Sequence, residues 1–461
     1  MIKPEQIHDL GQIVGKNNLL VSREELLSYS YDASALWTHM PDVVVLPDNA
    51  KQVAGVLKFA DANRIPITPR GGGTNRSGGS IPIQGGIVLG TTRMNCILEI
   101  NKTNLNATVE PGVILEDFNV ALAKEGLFFP PDPQSYLGCT MGGVVAENAG
   151  GPSCLKYGVT KQYVLGLEVV LADGRIMKLG GLTPKNRTGY ELAMLFIGSE
   201  GTLGMITKIC FRLLPAPKAT KSILVAFNDV AITTETISDI ISCGILPCRI
   251  EFCSGPRWHI FFSSKQDLET GTVLLIQVDG LPETVEIEAQ QILDICRKNR
   301  AVETILAKDT EHEESFWEMR RGSFAAAASR APTVLTEDVC VPRDRLTEFV
   351  NRVKQISEEY NISINLGGHA GDGNFHPGVA TDKNNEEHFK HAWKCVDDIV
   401  DAALSLGGVI SGEHGIGLEK RKFLMKAMDP VALEIMKKVK DVLDPNHILN
   451  PGKIWQEPTD G

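Results

Sequence analysis

The sequence predicts an α+β protein in two unlike parts: an N-terminal mixed α/β region, then an antiparallel sheet with helices on one face. Three observations carry this. Short β-like segments alternate with helical stretches and glycine clusters through residues 1–215. The segment LLPAPKATKS (213–222), with two prolines, marks a change of composition. Beyond it, strands alternate with amphipathic helices.

The elements follow in order. Apolar, β-branched runs at 42–46, 86–89, 107–110 and 165–171 read as strands. Helical periodicity at 50–63 and 115–126 follows the first and third of them. Between these lie the glycine clusters PRGGGTNRSGG (69–79), LGCTMGGVVAENAGG (137–151) and GSEGTLG (198–204). In the second part, strands are expected at 222–227 and 273–278, and helices at 232–243, 282–298 and 344–359. A helix at 429–443 precedes the turn-rich DPNHILNPGK. Domain limits are expected at 1–215, 216–425 and 426–461.

Composition narrows the function. The chain has 461 residues, with 46 Lys+Arg against 57 Asp+Glu and a net charge of −11, which argues against a nucleic-acid binder. Hydrophobic residues at 43% and charged residues at 22% fit an ordinary globular protein. No apolar run nears the roughly 18 residues of a membrane span. The start, MIKPEQIHDL, lacks the apolar core of a secretory signal. Ten cysteines occur without a CxxC pair, which excludes ferredoxin-type clusters and zinc ribbons. Reduced, mostly buried thiols and a cytoplasmic location are the expectation.

Consecutive glycines let backbone N–H groups converge on an anion, because no Cβ blocks close approach. The first cluster is not a Rossmann loop, since GxGxxG would need glycine where Arg76 stands, and no GxxxxGK[ST] exists. Three such loops within one region point to one large, elongated ligand. In the second part, GGHAGDGNFHPG (367–378) sets His369 and His376 on the two shoulders of a hairpin-like loop, and ISGEHGIG (410–417) adds Glu413 and His414. Two imidazoles and a carboxylate make a nitrogen–oxygen site suited to Zn²⁺, Mn²⁺ or Fe²⁺. HFKH (388–391) reads as an exposed helix face.

The three glycine-rich segments, in this order and spacing, resemble the FAD-binding domain of the PCMH-type (vanillyl-alcohol oxidase) flavoproteins. GHxGDGNxH with EHGIG resembles the C-terminal domain of FAD-linked 2-hydroxyacid dehydrogenases: D-lactate dehydrogenase, the glycolate oxidase FAD subunit and D-2-hydroxyglutarate dehydrogenase. The resemblance covers about 40–455. It implies a PCMH-type FAD-binding domain of two α/β subdomains, a ferredoxin-like substrate or cap domain, and a tail that returns to the FAD domain. It implies that Arg70, Gly71, Gly72, Gly73, Thr74, Asn75, Ser77, Gly78 and Gly79 hold the pyrophosphate. Pro131, Asp132, Ser135, Thr140, Gly142, Gly143, Ala149 and Gly150 would flank the isoalloxazine or ribityl chain. Glu200, Gly201 and Ile206 would lie by the adenosine or pyrophosphate, and Asn450 belongs to the returning NPGK. No His lies between His39 and His259, so a non-covalent FAD is expected.

By the same resemblance, His369, His376 and Glu413 ligate a divalent metal and His414 is the general base. Arg320 of FWEMRR grips the substrate carboxylate, with Arg321 as the alternative. The 2-hydroxyglutarate enzymes carry Asn and Lys where this chain has Gly378 and Thr336. A short D-2-hydroxy acid, D-lactate foremost, is therefore the expected substrate. The sequence holds no second redox-cofactor motif, so electrons are expected to leave to a partner, an electron-transfer flavoprotein or an iron–sulfur subunit. The alternatives are a glycolate oxidase FAD subunit, a D-2-hydroxyglutarate dehydrogenase, and a non-catalytic FAD-carrying subunit.

Overall fold

The computed structural model describes residues 2–34, 36–254, 271–329 and 331–455, without the side chains of 323–328. It divides into two units. The first comprises 1–150, 159–216 and 413–461, and the second 151–158 and 217–412. The second part thus ends at 412 rather than at the expected 425. The reason is local: the Leu418 and Glu419 N–H groups donate to the Ser77 carbonyl, and the Ile454 N–H donates to Gly417.

The first unit holds two larger sheets and a two-stranded one, Leu127–Phe128 with Leu214–Pro215. One has the order Leu19–Leu20, Val43–Val45, Ile87–Gly90, Ile67–Arg70, with the last three strands parallel. The other has the order Ile97–Asn101, Asn106–Val109, Met205–Arg212, Val164–Val170, Ile176–Gly180, all antiparallel. Helix Ala50–Asn63 begins at Asn49, whose Oδ1 accepts the N–H groups of Lys51 and Gln52, and it buries Val53, Val56, Leu57 and Ala60. That face joins Val43, Val45, Ile87 and Leu89 in one core, which Ile448 and Leu449 complete from the C-terminal tail. The tail is tied in at both ends: the Ile67 N–H donates to Ile448, and the Asn450 N–H donates to Ile67 (2.7 Å each).

The second unit is built on one eight-stranded sheet. Its order is Glu303–Leu306, Ala219–Phe227, Thr272–Gly280, Arg249–Ser254, Ile364–His369, Asn374–Thr381, Thr333–Thr336, with Val339–Cys340 beside Asn374–Thr381. Every recorded pairing in it is antiparallel. Side chains alternate between its faces. On one, Phe252 and Phe375 stack edge-on at 5.6 Å, and Phe349 of helix Leu346–Tyr360 packs on Phe375. On the other, Leu224, Ala226, Cys253, Val273 and Leu275 receive Phe316 and Trp317 of helix Thr310–Ala328. The motif histidines belong to this second face, as the register below shows. The expected helices occur as Val230–Ser242, Pro282–Lys298 and Leu346–Tyr360, with Pro430–Leu443 in the first unit. His388 and His391 are exposed on helix Glu386–Ser405. Among the described residues, no helix is long and apolar enough to cross a membrane. All ten cysteines are free and six are buried.

Candidate active site

The glycine-rich loops meet within the first unit. After strand Ile67–Arg70, the Asn75 side chain staples the first loop. Its Oδ1 accepts the Ser77 N–H (3.0 Å), the Ser77 hydroxyl (3.2 Å) and the Gly79 N–H (2.6 Å). Among the described residues, the backbone N–H groups of Gly71, Gly72, Gly73, Thr74 and Asn75 donate to no protein acceptor. Such a run of open donors suits the oxygens of a pyrophosphate. A Cβ on Gly72 would stand 2.0 Å from the Gly138 carbonyl oxygen, so the first loop touches the second backbone to backbone.

Arg70 ends strand Ile67–Arg70, just before this loop. Its guanidinium turns inward, donating to the carbonyls of Ser28 (3.2 Å) and Ser80 (3.4 Å), and it is buried. It braces the loop from beneath.

In the second loop, the Ser135 carbonyl accepts the Gly138 and Cys139 N–H groups (2.8 Å each). Thr140 caps helix Met141–Glu147 by accepting the Gly143 N–H. Pro131, Gly142 and Gly150 are buried, and Asp132 is half-buried. The Ala149 carbonyl accepts both the N–H and the hydroxyl of Thr160. Ile206 is buried in Met205–Arg212, opposite Val169.

Glu200 does something the sequence did not suggest. Its two carboxylate oxygens accept the N–H groups of Ile416 (2.7 Å) and Gly417 (2.8 Å), so it holds the EHGIG turn. Gly417 has φ +49, and a Cβ there would lie 2.2 Å from the Ser77 carbonyl, so glycine is required. Asn450 donates to the carbonyls of Gly79 (2.9 Å) and Glu200 (2.7 Å), which fastens the tail to the first loop. Burial pushes the Glu200 carboxyl above its ordinary range. Burial, then the charges of Glu200 and Asp32, push Glu147 further up. Glu413 and His414 are neighbours in this turn, with Oε1 and Nε2 3.9 Å apart.

The second unit supplies the two motif histidines. Strands Ile364–His369 and Asn374–Thr381 form a hairpin in which His369 faces Asn374 and Gly367 faces His376. Both imidazoles therefore project from one face of the sheet, their centroids 5.3 Å apart. His369 Nδ1 lies 2.6 Å from Glu251 Oε1. Glu251 Oε2 accepts Arg320 Nε and Nη2, each at 2.6 Å. Burial alone would raise the Glu251 carboxyl, but Arg320 and His369 hold it down at about 2. On the other side, Asp338 Oδ1 is 3.8 Å from His376 Nδ1. Asp338 also accepts Asn374 Nδ2 and the Ser411 hydroxyl (2.7 Å each).

The register of helix Thr310–Ala328 settles which arginine faces this face of the sheet. Arg320 reaches Glu251, while the more exposed Arg321 pairs with Glu314. Glu413 follows directly on Gly412, in the turn that Ser411 anchors to Asp338. The paired imidazoles of His369 and His376 suit a small divalent ion. Sequence reasoning missed Glu251, Asp338 and the clamp by Glu200. An acid in the buried strand RIEFCS was the one available signal for Glu251.

Comparison with known proteins shows the family. A family described as FAD linked oxidases, C-terminal domain, matches residues 216–454, and an FAD binding domain family matches 41–180. A Bacillus subtilis protein named glycolate oxidase subunit GlcD is 42% identical over 99% of this chain and 97% of its own length. Proteins named D-lactate dehydrogenase are similar: one from Anaerostipes hadrus, 34% identical over 98% of each chain, and one from Archaeoglobus fulgidus, 37% identical over 89% of this chain and 91% of that one. The fold is also that of p-cresol methylhydroxylase (TM-score 0.81, 20% identity, 99% of this chain and 98% of that one). The 4-ethylphenol oxidase of Gulosibacter chungangensis is similar too (TM-score 0.80, 19% identity, with the same coverage).

Proposed function

The chain belongs to the FAD-linked oxidases, an FAD-linked oxidoreductase of the D-lactate dehydrogenase and glycolate oxidase type, and on that premise we propose that it oxidises a short D-2-hydroxy acid, D-lactate foremost, to the 2-keto acid. The observation that carries this reading is the bonded row Arg320–Glu251–His369 with His376 beside it. It presents a carboxylate-binding cation next to two imidazoles on one face of a sheet.

His369, His376 and Glu413 would hold the divalent ion, and the loops around Gly71–Asn75, Thr140 and Asn450 would hold FAD. When bound, the ion supplies Lewis acidity to the substrate hydroxyl and FAD accepts a hydride. Arg320 binds the substrate carboxylate through its guanidinium fork. A ring nitrogen of His414 takes the hydroxyl proton as the α-hydrogen departs with its electron pair. General-base help of this kind is worth roughly 10²–10⁴-fold.

Substrate length follows from the strand beside His376. Thr336 pairs directly with Gly378, and neither reaches far toward a second carboxylate. A second reading, glycolate, is favoured by the name of the Bacillus subtilis relative. Electrons then pass to a partner, an electron-transfer flavoprotein or an iron–sulfur subunit. The support is the lack of a second redox motif in the sequence and the word subunit in that relative's name.

The test is anaerobic flavin bleaching of the purified chain by D-lactate, L-lactate, glycolate and D-2-hydroxyglutarate, with and without EDTA. Bleaching by D-lactate that chelation abolishes supports the proposal. Faster bleaching by glycolate moves the assignment to the second reading. Bleaching by 2-hydroxyglutarate alone overturns the short-acid assignment. Undiminished turnover in His414→Ala, with FAD retained, would remove His414 as the base.

A further inference from the structure

We propose that Glu251 is a positioning residue that sets the metal-ligating His369 and the substrate-binding Arg320 at the same time. The inference rests on the metal and substrate reading above. It assigns a role to a residue outside every motif in the sequence.

The geometry is specific. Glu251 sits in strand Arg249–Ser254, between Ile250 and Phe252 of the opposite face, and its side chain is 2% exposed. One carboxylate oxygen meets His369 Nδ1 and the other meets Arg320, so a single rigid group serves both. A ligating imidazole coordinates through one nitrogen and donates its N–H from the other. With Nδ1–H given to Glu251, Nε2 is the nitrogen left for an ion. Arg320 Nε and Nη2 are held in the same way, which fixes the guanidinium plane. Both partners are donors, so the residue between them must accept twice. The two donors meet different oxygens, and a carboxylate offers an acceptor at both positions where a carboxamide puts an NH₂ donor at one. The strand pairing supports the aim: Cys253 faces Gly367, which places residues 251 and 369 on the same side of adjacent strands.

The test compares Glu251→Ala and Glu251→Gln in the full-length flavin-loaded chain. The first readout is the affinity of the chelator-stripped protein for Zn²⁺ and Mn²⁺ by calorimetric titration. The second is KM against kcat for D-lactate. Loss of an outer-sphere partner typically weakens a metal site about 10- to 100-fold. Glu251→Ala is expected to show that loss together with a raised KM. Glu251→Gln, with one acceptor for two donors, is expected to impair one of the two readouts more than the other. Flavin content and melting temperature report whether each variant folds, and the near-isosteric Gln variant keeps the test open if Ala does not. Unmutated protein that binds metal, beside folded variants with the same metal affinity and the same KM, would overturn the inference. Unmutated protein that binds neither ion would instead overturn the metal reading, and the role of Glu251 toward His369 with it. An unchanged KM in both variants would then remove its role toward Arg320.

Discussion

Substituting Gly72→Ala tests the flavin cradle with a single methyl group. A Cβ at this position would stand 2.0 Å from the Gly138 carbonyl oxygen and 3.1 Å from the Gly138 carbonyl carbon. Real contacts of this type need more than 3 Å, so the two loops must part by over 1 Å. Neither atom belongs to a side chain that can swing away. The backbone of Gly72 lies outside the left-handed region, so the effect is steric and not conformational. Overpacking of this size costs about 1–3 kcal/mol. If the cost falls on the loops in their FAD-holding arrangement, affinity drops roughly 5- to 150-fold. The assay is FAD content and the dissociation constant of the purified protein. Gly181→Ala, with nothing within 4 Å and an ordinary φ, serves as control. A Gly72→Ala protein with full flavin and unchanged affinity would show that the two loops do not jointly form the cradle.

Three further outcomes are expected. Glu200→Ala strips the acceptors from the Ile416 and Gly417 N–H groups, each unsatisfied donor costing about 1–3 kcal/mol. A shift of about 1 Å at the His414 turn can cost ~10²-fold in kcat, and wild-type kcat with FAD retained would count against it. Glu147 has a buried Oε2 with no partner among the described residues, and its folded carboxyl is raised well above 4.5. The native state then binds more protons than the unfolded chain above that value, so stability falls as pH rises. Glu147→Gln should flatten the fall of the urea midpoint as pH rises above about 4.5, and parallel curves would refute this. Gly378→Asn should raise kcat/KM for D-2-hydroxyglutarate relative to D-lactate by about tenfold or more, the worth of one hydrogen bond to a charged group. A methyl at this position would meet Val334 Cγ1 at 3.3 Å and Asn365 at ordinary contact distance, so the variant should fold, and an unchanged ratio in steady-state assays would reject the length argument.

Much of the molecule was legible because its signals are local. Helix periodicity gave 50–63 and 282–298 to the residue, as Ala50–Asn63 and Pro282–Lys298. The first glycine cluster announced a loop with open N–H groups, and the histidines seven residues apart announced a hairpin with two imidazoles on one face. The second compact unit ends at 412, where the sequence suggested 425, and 416–419 is held by hydrogen bonds to Ser77 and Glu200, more than 200 residues earlier. Arg70 opens the first glycine cluster, yet its guanidinium is taken up by the Ser28 and Ser80 carbonyls, a contact the local sequence does not announce.

By itself the sequence determined the element types and the glycine-rich loops, which follow from short-range periodicity and from the absence of a Cβ, and it set the motif histidines on one hairpin. Only the tertiary structure decided that Arg320 and not Arg321 faces the imidazoles, that Thr336 stands opposite Gly378, and that Glu251 joins Arg320 to His369. Those contacts span separations of 69 and 118 residues. They are set by strand register and by the packing of one helix on one sheet face, where a single step would turn each side chain away.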